Sequence, residues 1–149
     1  MDEIDRQILD ILQRDGKTSQ ARIAEAVGLT TPSVNERIKK LETRGFIRRF
    51  AALLDPLAVG MPLVAYVDVG LEHPRFERAF LDEIETLLEV QECHTISGEF
   101  GYRLKVRARD LSHFELLLRE RIQAARGVAR TRVDLSISVK KESSLLPVA

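Results

Sequence analysis

The sequence of 149 residues predicts an α+β chain, a small helical unit followed by a βαββαβ unit. Two observations carry this. Over the first third, apolar residues recur at helical spacing between turn residues; from Leu63 onward, Val-rich alternating stretches are interleaved with two helical ones. A hydrophobic content of 44% is enough for a packed core and excludes a disordered chain. The expected division is 1–54 for the helical unit, 55–62 for a linker, 63–141 for the sheet unit and 142–149 for a tail.

Residues 2–14 place Ile4, Ile8, Ile11 and Leu12 on one helical face, with acidic residues in the first turn, where they complement the helix dipole. Asp15-Gly16 ends this helix. Thr18 or Ser19 can cap a second helix that runs through Ala26 and buries Ala21, Ile23, Ala24 and Val27. Gly28 stops it. Thr30 or Thr31 then caps a third helix, with Pro32 in its first turn and Gly45 in the left-handed position past its end. Its apolar stripe is Val34, Ile38 and Leu41; Ser33, Glu36, Lys39, Lys40 and Thr43 fall opposite, flanked by Asn35, Arg37 and Arg44. Two helices joined by a tight turn containing Gly are the geometry of a helix-turn-helix, whose second helix enters a major groove. After Gly45, Phe46, Ile47, Phe50 and Leu53 have strand character around the basic step Arg48-Arg49, which reads as the wing of a winged helix.

Asp55-Pro56, Gly60 and Pro62 punctuate the linker. Leu63 to Val69 reads as a strand, and Arg75 to Leu88 as a helix with Phe76, Phe80, Ile84, Leu87 and Leu88 inward; Val90 to Ser97 reads as a second strand. Gly98 and Gly101 bracket a hairpin, and Tyr102, Leu104 and Val106 alternate with Arg103, Lys105 and Arg107 in the third. Asp110 to Ala125 reads as a helix with Leu111, Phe114, Leu118, Ile122 and Ala125 inward. A last alternation puts Thr131, Val133, Leu135, Ile137 and Val139 on one face. The order βαββαβ is the ferredoxin-like arrangement, with helices on one face of a four-stranded sheet. The uncovered face predicts at least a homodimer that stacks two sheets about a two-fold axis.

Net charge is +0, but its distribution is uneven. Residues 1–15 carry five acidic against two basic side chains, whereas residues 33–50 carry six basic against two acidic ones. That second stretch is a basic patch of the kind that meets nucleic acid. The single cysteine, Cys93, excludes an internal disulfide and is expected to be a buried small residue. No signal-peptide pattern and no apolar run long enough to span a bilayer is present, which predicts a cytoplasmic chain with no membrane contact. His73, His94 and His113 are scattered, and no metal-ligand spacing or nucleophile-base pair is visible, so no enzyme, metal or cofactor is expected.

The opening IDRQIL, the segment GLTTPSVNERIKKLE, the RGFI that follows and the hairpin ECHTISGEFGYRLKV resemble, in that order, the Lrp/AsnC family of transcriptional regulators. The resemblance covers nearly the whole chain. It implies a sequence-specific DNA-binding regulator that dimerises through ferredoxin-like domains, often assembles into octameric discs, binds imperfect palindromes and responds to a small-molecule effector, commonly an amino acid. The hairpin corresponding to the family's effector site is Gly98, Glu99, Phe100, Gly101 and Tyr102, with Thr131 facing the cleft. The family usually carries Asp before the aromatic residue, where this chain has Gly101; Glu99 can substitute as partner of a ligand's amino group.

On double-stranded DNA, the expected base readers are Thr31, Ser33, Asn35 and Glu36, with Asn35 able to pair bidentately with adenine. Arg37, Lys39, Lys40, Arg44, Arg48 and Arg49 are the expected phosphate contacts. Two alternatives share this plan: a siroheme-decarboxylase-like enzyme, and a DNA-architectural regulator without an effector.

Overall fold

The computed structural model describes residues 1–148. The chain forms two compact units, one built from Met1–Leu53 joined by the segment from Lys141 onward, the other from Leu54–Lys140.

In the first unit, α1 (Glu3–Arg14) starts with a capping box in which Asp2 and Asp5 each accept the other's backbone N–H. Ser19 caps α2 (Gln20–Val27), and Gly28, at φ 69°, takes the left-handed position that turns the chain into the next helix. Thr30 caps α3 (Thr31–Thr43), with Pro32 in the first turn. Ile8, Leu12, Ile23, Ala24, Val34, Ile38 and Leu41 form one core among the three helices. Ala21, expected inside, is exposed, because Ile23 and Ala24 already fill the narrow inner stripe of this short helix.

The expected wing strand does not form: 46–50 carries no regular ladder. The backbone N–H groups of Phe46 and Ile47 instead both donate to Leu41 O, at 2.9 and 3.2 Å, closing the end of α3. The tail reaches the same unit. Gln13 Nε2 donates to Leu146 O and Leu146 N donates to Gln13 Oε1, both at 2.9 Å.

The second unit contains β1 (Leu63–Leu71), a 3₁₀ turn (Pro74–Phe76), α4 (Glu77–Glu85), β2 (Val90–Thr95), β3 (Gly101–Ala108), α5 (Leu111–Leu117) and β4 (Val128–Leu135). The sheet runs β2-β3-β1-β4 and is antiparallel throughout, which is the ferredoxin-like order. Ala65, Val67, Val69, Leu104 and Val106 face Phe80, Ile84, Phe114, Leu117 and Ile122 in its core.

Four expectations shift here. Leu88 lies beyond the end of α4 and is 93% exposed. The second helix is α5 followed by a π-helical turn, Leu118–Ile122, in which Gln123 N donates to Leu118 O. That wider turn brings Leu117 and Ile122, five residues apart, onto the same inner face, while Leu111, the first residue of α5, is exposed. β4 stops at Leu135, and Ile137 is fully solvent-exposed. Cys93, on the edge strand β2, is exposed rather than buried.

Candidate nucleic-acid interface and ligand cleft

On α3 the candidate readers differ in their partners. Thr31 is exposed at the first turn. Ser33 Oγ lies 2.9 Å from Thr30 Oγ1, inside the cap, and Glu36 pairs with Lys40 at 2.7 Å one turn on. Asn35 Oδ1 accepts from Gln20 Nε2 of α2 at 3.3 Å. Lys39, Lys40 and Arg44 are exposed, and the Arg44 guanidinium lies over the Phe46 ring at 5.2 Å. Arg48 and Arg49 are exposed in the irregular stretch beyond. This gathers polar and basic groups on the side of α3 opposite Val34, Ile38 and Leu41, as a groove-entering helix requires.

Arg37 departs from that set. Its Nη1 donates to Asp2 Oδ2 and to Asp5 Oδ1, both at 2.7 Å, so it ties α3 to the start of α1. The Asp5 backbone N–H and then this guanidinium hold the Asp2 carboxyl below the usual carboxylate range.

The second site lies on the sheet face away from the helices. Asp68 of β1 is 2% exposed and stands in register with Arg103 of β3 and Arg132 of β4. Arg103 Nε donates to Oδ1 at 2.6 Å, Arg103 Nη2 to Oδ2 at 2.9 Å, and Arg132 donates to Oδ2 from the other side. These guanidinium bonds, Arg103's foremost, hold the Asp68 carboxyl below its usual range against the opposing effect of burial.

The loop between β2 and β3 borders this triad. Glu99 accepts from Arg130 at 2.5 Å, and Phe100 carries the Arg130 and Arg132 guanidinium groups over its ring at 4.6 and 5.0 Å. Asp68, Ser97, Glu99, Phe100, Arg103 and Arg132 line a depression of about 400 Å³ here. Gly101, at φ 99°, has a backbone conformation that a side chain rarely adopts, which accounts for glycine before Tyr102.

The expected effector set is therefore split by the sheet. Gly98, Glu99 and Phe100 line the depression, whereas Tyr102 and Thr131 flank Val69 on the helix-facing side. Tyr102 Oη donates to Glu77 at 2.5 Å, and its ring packs on Phe80 at 5.2 Å. That carboxylate first, then burial, pushes the phenol up to about 12. Thr131 Oγ1 accepts from Gln123 at 2.9 Å. The alternation that put Thr131 in line with Val133 places it against the helices, not in the depression. Asp68, Arg103, Arg130 and Arg132 escape the sequence reading, although an Asp in the middle of LVAYVDVGL was a visible anomaly.

Comparison with known proteins bears on both sites. Residues 1–42 match the model of the AsnC-type helix-turn-helix domain, and residues 64–146 that of the Lrp/AsnC ligand binding domain. The leucine-responsive regulatory protein of Escherichia coli K12 is 37% identical over 150 residues, covering 99% of this chain and 92% of that one. A Neisseria meningitidis transcriptional regulator solved with L-methionine superposes with a TM-score of 0.94 at 27% identity, over 99% of this chain and 96% of that one. A Mycobacterium tuberculosis feast or famine regulatory protein complexed with L-methionine gives 0.89 at 30%, over 97% of each chain.

Proposed function

Because the chain belongs to the Lrp/AsnC family of transcriptional regulators, we propose that its α3 reads a palindromic operator and that an amino acid bound beside the Gly98–Phe100 loop modulates that binding. The observation that supports the first half is the one-sided α3, with its apolar stripe in the core and Thr31, Ser33, Asn35, Lys39 and Lys40 on the free side. Supporting the second is the pairing of opposite charges around one depression. A free amino acid carries a carboxylate and an ammonium group; Arg103 and Arg132 suit the first, and Glu99 suits the second. The methionine complexes of the Neisseria and Mycobacterium relatives support an amino acid as the ligand.

A homodimer supplies the two recognition helices that a palindrome needs. The open sheet face is the surface for it, since Asp68 is already neutralised by Arg103, and Glu92 accepts from Lys105 at 3.4 Å. No catalytic role is assigned to the chain, and a cytoplasmic location suits a protein that acts on the chromosome.

A thermal-shift screen of the intact protein across the common amino acids tests the effector half. A ligand that prefers the folded state at 100 times its Kd adds about 2.7 kcal/mol of stability. At least one amino acid should raise the Tm and change the affinity for a duplex; no shift with any of them would leave a regulator that acts without an effector.

A further inference from the structure

We propose that Gln20, on α2 and outside the recognition helix, determines which base Asn35 reads. The proposal rests on the DNA-binding reading of α3. Gln20 is the first residue of α2, immediately after the Ser19 cap, and its Nε2 donates to Asn35 Oδ1 at 3.3 Å. The other reader candidates on α3 that have side-chain partners find them within their own helix or its cap: Ser33 at Thr30 and Glu36 at Lys40. Asn35 is half-buried and is held by a neighbouring helix.

An amide side chain has one carbonyl and one NH₂, and turning it over exchanges a donor for an acceptor. With Oδ1 engaged by Gln20, the group of Asn35 without an in-chain partner among the described residues is Nδ2, a donor. In the major groove a donor meets the N7 and O6 acceptors of guanine, the O4 of thymine or the N7 of adenine; it has nothing to offer the N6 or N4 amino groups of adenine and cytosine. A free Asn can instead pair bidentately with adenine. In this pairing Gln20 holds the amide donor-outward, which favours guanine with its two adjacent acceptors; because Gln20 is itself an amide, the opposite pairing requires both side chains to turn over together.

Replacement of Gln20 by Glu inverts the logic. A carboxylate only accepts, so it bonds Asn35 Nδ2 and turns Oδ1 outward, towards the amino groups of adenine and cytosine. Both residues are good helix formers, and a negative charge suits the first turn of a helix, so the Gln20→Glu protein keeps α2.

The test is selection of bound sequences from random duplex DNA by the full chain, by Gln20→Glu and by Gln20→Ala, each with and without Asn35→Ala. The full chain should prefer guanine at one position of each half-site. Gln20→Glu should move that preference towards adenine or cytosine by about ten-fold, and Gln20→Ala should relax it; neither change should occur in the Asn35→Ala background. The same preferred base in all three proteins, or the same shift without Asn35, would overturn the assignment. A full chain that enriches no sequence would remove the DNA-binding reading together with this one.

Discussion

Arg37, in the middle of α3, donates to the Asp5 carboxylate of α1 at 2.7 Å, and that carboxylate is itself half of the cap that starts α1. Asp2, the other half, is bound by the same guanidinium nitrogen. The basic character of α3 therefore has two origins. Lys39 and Arg44 present charge to solvent and Lys40 pairs with Glu36 on the exposed side, while Arg37 uses its charge within the fold, tying the first helix to the third.

Arg37→Ala should accordingly act on stability rather than on the electrostatics of DNA binding. Its side chain is 30% exposed and Asp5's is 13%, so the loss should be about 1 kcal/mol, read by urea denaturation. The slope of log K against log salt should stay at its original value; a flattened slope would return Arg37 to the phosphate contacts.

Replacing Lys39, Lys40, Arg48 and Arg49 by Ala should have the opposite signature. For every phosphate that is no longer neutralised the slope should fall by about 0.9, and affinity should drop alike on cognate and random duplexes. Fluorescence anisotropy at several salt concentrations reads both quantities, and an unchanged slope would refute the role.

Asp68 should make the sheet unit sensitive to acid. Its folded-state carboxyl is held below the unfolded value of about 4, so its contribution is present above that pH and is lost as pH falls through the depressed folded value. Asp68→Asn at pH 7 should cost about 2 kcal/mol, since it leaves Arg103 and Arg132 facing a neutral amide. Denaturation curves from pH 7 down to about pH 3 should show a shallower acid decline for the variant; parallel curves would mean that the triad adds nothing.

Glu99→Gln should abolish the amino-acid-induced thermal shift, because the amide keeps the size of the side chain but loses the charge that faces a ligand's ammonium group. Apo-protein affinity for DNA should be unchanged. A full thermal shift in the variant would move the ligand's amino group away from Glu99.

Much of the architecture was legible because it rests on local chemistry. Thr30, Pro32 and Gly28 punctuate the helix-turn-helix, and the alternation of Leu104 and Val106 with Arg103 and Lys105 assigns the two sheet faces. What escaped depends on register and phase. Asp68 meets Arg103 and Arg132 across 35 and 64 residues of chain, through strand pairings that no local pattern specifies. The π-helical turn after α5 lets Leu117 and Ile122 face inward at a spacing of five that an α-helical pattern does not show. Thr131 was placed on the correct strand, but its distance from the depression became visible only once β4 was paired to β1. The wing segment had apolar and aromatic residues but no strand beside it, and its first two N–H groups went to the end of α3.

Selection of bound sequences from random duplex DNA by the intact protein, with and without an amino-acid mixture, tests the central claim most directly. The predicted result is enrichment of an imperfect palindrome whose half-sites lie about one helical turn, or a multiple of it, apart, with recovery that changes when the mixture is present. Equal recovery of all sequences under both conditions would contradict it.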